Sequence, residues 1–304
     1  MAAARGRDNL GYFQNTLDGD WPRNRVDAGT RGPEVLGRIG NLETRLAAND
    51  REVRMAQALR FEVFCNEMSA RIGLRSRLSR LERDRWDRIC DHLIVLDLEA
   101  ARPRAVATYR LLTGDRAKAS GMGFYSQSEF KISSLTSRYP KLRFLELGRS
   151  CVLNGWRSKR TIELLWHGSW SYVRRHGIDV MFGCASFPGT DPQTHAEALS
   201  FLRSVAAPDP EWQVYAQSGR AASYCPVAPE NIDRRRALAS LPPLIKGYLR
   251  LGAWIGTEPV VDEHFETTDV MIILPVNRIS QRYVSYYGHD AQRHAADRNV
   301  QSAL

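Results

Sequence analysis

The sequence lacks several features that would assign a function directly. It contains five cysteines among 304 residues and no C-x-x-C pair, which argues against a disulfide scaffold and the common zinc motifs. No apolar run reaches the roughly 18–20 residues of a bilayer-spanning helix, and the first residues lack the apolar stretch of a secretory signal. P-loop, G-x-G-x-x-G, H-E-x-x-H and complete G-x-S-x-G motifs are also absent. We therefore expect a cytoplasmic protein with reduced thiols and no metal.

Acidic residues are outnumbered by basic ones, which give a formal net charge of +9 and a pI of about 9.5. This charge favours an acidic partner, which could be nucleic acid, anionic lipid or an acidic protein. Arginines crowd residues 71–88, as either a solvated polar segment or an anion-facing patch. Trp86 is the only aromatic residue there, and no recognition helix is evident. We therefore expect no nucleic-acid partner.

The apolar pattern predicts a mixed α/β sheet. Its centre is a β-α-β unit with a strand over residues 144–153, a polar loop over 154–160, an amphipathic helix over 161–176 and a strand over 178–182. Further strands are predicted at 35–46, 92–98, 104–112, 128–132 and 270–275. Further helices are predicted after Asn49, from Thr190 or Asp191 to about 205, and at 244–254.

Composition divides the chain into three parts. Residues 1–34 are rich in Gly, Arg, Asp and Asn and poor in aliphatic side chains, which is typical of a disordered arm. Residues 35–287 carry the predicted strands and helices and form the folded domain. Residues 288–304 are polar, and we expect this tail to fray.

Two charged residues interrupt the apolar strand over residues 144–153. A charge in a buried strand is costly unless it is paired or used. Glu146 and Arg149 are three positions apart, so their side chains point to opposite faces unless a bulge intervenes, and Gly148 is suited to one. Either each residue finds its own partner in the sheet, or Glu146 is a base that accepts a proton from an incoming amine.

Two H-x4-D matches, His92 with Asp97 and His264 with Asp269, have the spacing used by glycerolipid acyltransferases. The first falls in a predicted strand, where residues five apart point to opposite faces. Neither match is favoured as catalytic.

The central unit resembles the thioester-binding core of the GNAT acyltransferases. In that fold a loop and the N-terminus of the following helix hold the phosphate of a phosphopantetheine arm. The resemblance implies a GNAT-like mixed β-sheet flanked by helices, with a C-terminal extension. It also implies that phosphopantetheine is bound by Arg157, Lys159, Arg160 and Thr161.

Four ordered blocks are similar to the acyl-homoserine-lactone synthases, which take acyl groups from acyl carrier protein. The blocks are Arg60-x-x-Val63-Phe64, Glu82-x-Asp84-x-Trp86-Asp87, V-A-T-Y-R-L at 106–111 and Glu146-x-x-Arg149. The resemblance implies that Arg60, Asp84, Asp87 and Arg110 bind the amine substrate and that Glu146 and Arg149 are catalytic.

A longer match, over residues 35–287, is with the ornithine N-acyltransferases of ornithine-lipid biosynthesis. It is carried by E-L-G-R-S-C-V at 146–152, T-I-E-L-L-W at 161–166, I-D-V-M-F-G-C-A-S-F-P-G-T-D-P at 178–192, P-P-L-I-K-G-Y-L-R-L-G-A at 242–253 and F-x-T-x-D-V at 265–270. It implies that the α-amine of L-ornithine attacks the thioester of a 3-hydroxyacyl chain on acyl carrier protein, without a further cofactor. The basic surface suits this acidic carrier and an anionic inner membrane, where we expect peripheral contact.

Three alternatives stay open. The same chemistry could act on lysine, glutamine or glycine. An acyl-homoserine-lactone synthase is less favoured, because the chain after Asp191 is longer than such enzymes carry. A basic membrane-binding protein without catalysis would need a long amphipathic or apolar helix, and the best candidate, at 244–255, is short.

Overall fold

The computed structural model of the protein describes residues 34–68, 70–71, 74–99, 102–280 and 283. Nine strands occur there: β1 (Val35–Ile39), β2 (Leu42–Leu46), β3 (Asp91–Asp97), β4 (Arg104–Thr113), β5 (Phe144–Val152), β6 (Val180–Pro188), β7 (Trp254–Ile255), β8 (Val260–Asp262) and β9 (Thr267–Pro275). The α-helices are α1 (Asp50–Arg60), α2 (Leu74–Ser79), α3 (Gly114–Ala119), α4 (Ile132–Arg138), α5 (Lys159–Arg175), α6 (Ala196–Ala206), α7 (Arg234–Ser240) and α8 (Pro243–Leu251). The predicted arm, apart from Glu34, and the predicted tail lie outside these residues.

One mixed sheet joins all nine strands in the order β1-β2-β3-β4-β5-β6-β9-β7, with β8 paired to β9. Neighbours are antiparallel except β5 and β6, which are parallel. A parallel pair needs a crossover connection, and α5 supplies it. The predicted β-α-β unit and the mixed α/β class are therefore confirmed.

The predicted strand over residues 35–46 is wrong, because a hairpin turn divides it into β1 and β2. The turn is made by Gly40, with φ of +61°, and Asn41. Positive φ is accessible to glycine at little cost, and Gly-Asn is a recognised hairpin signal. Strand structure on either side of the turn agrees with the prediction, and the turn between the strands does not.

The predicted strand at 128–132 is also wrong. A 3₁₀ turn, Tyr125–Ser128, and then α4 occupy this region, and Phe130 makes a single bridge to Ala216. The backbone N–H groups of Tyr125 and Ser126 donate to a side chain of β5 instead of to a neighbouring strand. A tertiary contact therefore overrides the local pattern.

Helix boundaries follow local capping chemistry. Asn49 caps α1 as predicted, with its side chain accepting from the backbone N–H of Glu52. Ser158 caps α5, which starts two residues before the predicted position. Helix α8 ends at Leu251, before the predicted 254, because Gly252 adopts φ of +89° as its C-cap.

The two faces of the sheet pack against different helices. Leu145, Leu147 and Met181 point to the face covered by α5 and α8, while Phe144 and Phe182 point to the opposite face, towards α4. Helix α5 approaches closely at Gly168, where a Cβ would lie 2.7 Å from the Thr44 hydroxyl oxygen. Across the described residues, no helix has the length and apolar character needed to traverse a bilayer.

Candidate active site

The site is built where β5 and β6 separate. These strands pair over only three positions, ending at Glu146 opposite Phe182, and then diverge. Just beyond, the backbone carbonyl oxygen of Leu147 would lie 2.2 Å from a Cβ at Gly183. Glycine at 183 therefore permits the strands to touch at the point where they part, and the rest of β5 has no partner in β6.

A bulge in β5 follows immediately, as the sequence suggested. Arg110 of β4 pairs with Gly148 and Thr108 pairs with Cys151, so β5 carries an extra residue. The residue in the left-handed region is Arg149, with φ of +54°, and not Gly148. Because a non-glycine residue pays a conformational cost there, the contacts of the Arg149 side chain must hold it.

Glu146 is buried at the split and is held by three donors. The backbone N–H groups of Tyr125 and Ser126 each donate at 2.8 Å, and the Ser126 hydroxyl donates at 2.6 Å. Burial raises the pKa of Glu146, while the hydrogen bonds from Ser126 and Tyr125 and the charge of Arg110 oppose the rise. The carboxylate is thus oriented by its neighbours and is more basic than an exposed one.

Arg149 belongs to a buried cluster of three arginines and three acids, which we call the ion network: Arg60, Arg110, Arg149, Glu82, Asp84 and Asp87. Arg60 donates to both carboxylate oxygens of Asp87, at 3.0 and 2.6 Å. Arg110 joins Asp84 at 2.7 Å to Asp87 at 3.0 Å.

The third arginine extends the ion network to the bulge. Arg149 donates to Glu82 at 3.1 Å and to Asp84 at 3.0 Å, and its guanidinium lies 4.4 Å from the ring centroid of Tyr125. The two arginines facing Asp87 hold its pKa well below the usual range despite its burial. Positive and negative charges in the network therefore balance one another.

The structure thus brings together every residue predicted for the amine pocket. Their placement differs, however: Arg110, Glu146 and Arg149 line a cavity, whereas the Arg60 side chain is 0% exposed and engages Asp87 and Glu82. Sequence reasoning missed Tyr125 and Ser126 as holders of Glu146, because no spacing or motif links residues 125–126 to a strand twenty positions away.

A cavity of about 790 Å³ passes through the gap between β5 and β6. On the face of α5 and α8 it is mainly apolar, with Leu147, Leu165, Trp166, Leu244 and Leu251 in its lining, although Lys246 and Arg250 of α8 also line it. On the opposite face it is polar, lined by Arg110, Tyr125, Glu146, Cys184, Asp262 and Asp269. Residues 63, 64 and 68, in and just after the π-helical turn Phe61–Glu67, also line it. Such a cavity can hold an apolar chain on one side and a polar group on the other.

The loop before α5 carries the residues predicted to hold phosphopantetheine. Arg157 lines the cavity; its Nε donates to the Val152 carbonyl at 3.1 Å, and it pairs with Glu67. Lys159 and Arg160 are exposed in the first turn of α5. Thr161 is buried, with its hydroxyl 3.0 Å from that of Ser158.

The remaining candidates take structural places. His92 lies with Nε2 3.0 Å from the carbonyl oxygen of Asp87, and Asp97 accepts from Asn41. His264 uses its backbone N–H to donate to Asp262. Among the residues that the structure covers, neither H-x4-D match forms a hydrogen-bonded pair, because the first pair is split between the two ends of β3.

Two of the cysteines line the cavity and stay protonated. Burial raises the pKa of Cys151 to about 12 and that of Cys184 well above its ordinary value, and nearby carboxylates add to the shift at Cys184. A thiol is a poor nucleophile without its thiolate form. Neither residue is therefore suited to forming an acyl-enzyme.

The split mixed sheet, the bulged strand and the through-going cavity agree with a match over residues 59–167 to the Acetyltransferase (GNAT) domain. The fold and site define an N-acyltransferase of the GNAT class, and the GNAT-like sheet expected from the sequence is confirmed.

Relatives identify the family more narrowly. The chain is 53% identical over 263 residues to an L-ornithine N(alpha)-acyltransferase of Rhizobium meliloti, covering 86% of this chain and 88% of that one. It is 48% identical over 275 residues to the same enzyme of Agrobacterium fabrum, covering 90% and 93%. The chain belongs to the L-ornithine N(alpha)-acyltransferase family, as the residue pattern implied.

Solved structures give more distant matches. An N-acyl amino acid synthase from uncultured soil microbes is 10% identical with a TM-score of 0.40, covering 78% of this chain and 91% of that one. An AHL synthase is 11% identical with a TM-score of 0.42, covering 81% and 95%.

Proposed function

We propose that the protein transfers a 3-hydroxyacyl chain from the phosphopantetheine thioester of acyl carrier protein to the α-amine of L-ornithine, giving a lyso-ornithine lipid. The observation that carries this proposal is the cavity through the β5–β6 gap, which is apolar on one face and charged on the other. An acyl chain suits the apolar side and an amino acid suits the charged side. The acceptor is the one that the relatives' names give.

The reaction forms a C–N bond and breaks a C–S bond. The α-ammonium of ornithine first loses a proton, and the free amine attacks the thioester carbonyl. The tetrahedral intermediate then collapses and expels the phosphopantetheine sulfur; the excess proton on the attacking nitrogen passes to this sulfur, which leaves as a thiol and yields the neutral amide. Because the thioester is already activated, no acyl-enzyme is needed, which agrees with the protonated states of Cys151 and Cys184.

Glu146 acts as the general base, directly or through a water. Glu146 lines the cavity where the strands separate. Its raised pKa is closer to the pKa of the substrate ammonium, whose proton it must accept. Backbone N–H groups of β5 near Gly148 to Cys151, freed by the bulge and the divergence from β6, stabilise the oxyanion. Arg149 lies in the same part of β5 and is held in place by its hydrogen bonds to Glu82 and Asp84.

The donor arm enters at the mouth of the cavity. The N-terminus of α5 and its basic residues face the pantetheine phosphate, since a helix N-terminus and nearby cations favour an anion. Arg157, Lys246 and Arg250 line the same cavity and suit the acidic surface of a carrier protein.

Exposed apolar residues beside the mouth of the cavity support contact with an anionic membrane surface. Met68 and Ile162 line the cavity yet are 44% and 42% exposed. Exposed apolar side chains beside cations are suited to a lipid surface. An amphiphilic product released there passes to lipid without crossing water.

The test is acyl transfer from 3-hydroxypalmitoyl carrier protein to an equimolar pool of amino acids that includes ornithine, read by mass spectrometry. We expect N-acyl-ornithine from wild type and a loss of about 10²–10⁴-fold in kcat for Glu146→Gln. Glu43→Gln is the control, because it alters a buried carboxylate paired with Arg38 and Arg45, away from the cavity.

Two results would overturn parts of the proposal. An acylated amine other than ornithine would replace the acceptor, and unchanged kcat in folded Glu146→Gln protein would remove Glu146 as the base.

A further inference from the structure

Three carboxylic acids and one thiol lie at the polar half of the cavity, outside the ion network. We call them the acidic subsite: Glu129, Cys184, Asp262 and Asp269. Cys184, Asp262 and Asp269 line the cavity. Ligand atoms of Glu129, Cys184 and Asp269 all lie within 4.8 Å of one another. The Cys184 thiol donates to Glu129 at 3.4 Å, so Glu129 lies directly behind the residues that line the cavity.

The acidic subsite lies on the same face of the sheet as Glu146. Alternation places Glu146 with Phe144 and Cys184 with Phe182 on the face away from α5. Asp269 is on that face too, two positions before Met271 on β9. An amino acid presenting its amine to Glu146 therefore extends its side chain towards these acids.

Charge is not balanced in the acidic subsite, unlike in the ion network. Among the described residues, two cations act on it: Arg220 lies 3.8 Å from Glu129 with 44% of its side chain exposed, and the charge of Arg149, which pairs with Glu82 and Asp84, opposes the rise in the pKa of Asp269. Burial first, and then repulsion from Asp269 and Asp262, raise the pKa of Glu129 to about 7. Burial and the charge of Asp262 raise the pKa of Asp269 to about 6. The three carboxyl groups of the subsite thus repel one another, which favours an additional cation among them.

Asp262 supplies an independent sign of a missing ligand. Asp262 is only 7% exposed. One of its carboxylate oxygens, Oδ1, accepts hydrogen bonds from the backbone N–H of His264 at 2.7 Å and of Phe265 at 3.1 Å. Within the described part of the chain, Oδ2 has no hydrogen-bond donor. A carboxylate oxygen of a nearly buried residue that lines a cavity, and that accepts no hydrogen bond there, is suited to a ligand that brings a donor.

An organic ammonium fits these groups better than a metal ion. An ammonium needs only the carboxylate oxygens of the subsite, whereas a metal ion held by the same cluster would also use the Cys184 sulfur. An ammonium carries three donors and can satisfy several carboxylate oxygens at once. A cation on a short aliphatic stem is the side chain of ornithine.

We propose that Asp262 and Asp269, backed by Glu129, bind the side-chain ammonium of ornithine and determine the amino acid that the enzyme accepts. This inference rests on the proposed function, which it deepens. The side-chain ammonium of ornithine is then bound on one side of the strand gap and the acyl chain on the other. The ion network orients Arg110 and Arg149 and does not contact the ornithine side chain.

The experiment compares ornithine with norvaline, which has the same carbon chain without the distal amine. We expect wild type to prefer ornithine strongly. Asp262→Asn and Asp269→Asn should each raise the KM for ornithine at least tenfold while changing the KM for norvaline and for the acyl donor much less, so that the preference for ornithine over norvaline falls. Asparagine retains an oxygen to accept from residues 264 and 265, so the loop should persist. Glu263→Gln, an exposed neighbour, is the control.

The outcomes separate this inference from the proposed function. A wild-type enzyme that acylates no ornithine with any donor would refute the proposed function. Ornithine transfer with unchanged selectivity in both folded variants would refute the acidic subsite as the ammonium site. Ornithine selectivity that disappears on EDTA treatment and returns with Zn²⁺ would replace the ammonium by a metal. Ornithine-induced thermal stabilisation without donor, lost in Asp262→Asn, would support the proposal independently of turnover.

Discussion

Some of the predicted site residues line the cavity, and others lie behind it and hold the first group in place. The sequence pattern did not distinguish these two roles. Arg60 and Asp87 stand in the same blocks as Arg110 and Arg149, yet Arg60 is fully enclosed and donates twice to Asp87. Breaking one partner of such a buried pair leaves an uncompensated charge. These residues therefore position the site, while Glu146 and Arg149 line it.

At the same scale, the unpaired acids predict a pH dependence of stability. Glu129 and Asp269 have pKa values raised to about 7 and about 6, above the ordinary values of about 4. Between about pH 4.5 and 7 the folded state holds protons that the unfolded state has released. The free energy of unfolding should therefore fall as pH rises, by up to about 1.4 kcal/mol per pH unit for each proton.

Urea titrations from pH 4.5 to 8 would measure this slope in protein without ornithine. Glu129→Gln should flatten it, whereas Glu263→Gln should not. A wild-type stability that is constant over this range would contradict the raised pKa values.

At the element scale, the pair β5 and β6 forms the gap that the cavity occupies; the two strands are joined over three positions and open beyond them. Opening requires β5 to leave β6 abruptly. Gly183 allows this, because the carbonyl oxygen of Leu147 takes the place where a Cβ would stand. The bulge at Arg149 then turns β5 away and aims the guanidinium at Tyr125.

Gly183→Ala tests this geometry at the element scale. The added methyl would lie 2.2 Å from a backbone oxygen, so the strands must shift. We expect a loss of about 1–3 kcal/mol in the free energy of unfolding together with a lower kcat. Gly155→Ala is the matched control, because a Cβ there meets nothing within 4 Å. Denaturant unfolding and turnover, measured on both variants, check the expectation; equal stability of the two would contradict it.

At the scale of the whole molecule, Arg157, Lys246 and Arg250 give an opening of the cavity a basic character. If a carrier protein and an anionic membrane meet this opening, charge reversal there should weaken both contacts. Lys246→Glu and Arg250→Glu should each raise the KM for acyl carrier protein by about 3–10-fold, with the rate from a free acyl-pantetheine thioester unchanged. Binding to phosphatidylglycerol vesicles should fall by about 1 kcal/mol per charge.

Arg54→Glu, an exposed change on α1 outside the cavity lining, is the control for net charge. Equal effects of all three variants on KM and on vesicle sedimentation would show a general charge effect and would remove the opening as the docking surface.

Features of the fold that have local causes are predictable from the order of the amino acids. Periodicity and capping residues defined β5, α5 and β6, because burial of one face repeats at a fixed spacing. A charged pair in an apolar strand marked the site, since charge there is costly unless used. The family pattern added the class of reaction.

How these parts meet depends on contacts between residues that are far apart in the chain. Arg60 reaches Asp87 across 27 positions, and Cys184 reaches Glu129 across 55, so no spacing rule joins them. The strand predicted at 128–132 failed for the same reason, because the N–H groups before it donate to Glu146. The acidic subsite, the balanced ion network and the gap between β5 and β6 exist only after distant strands pair and exclude water from their charges.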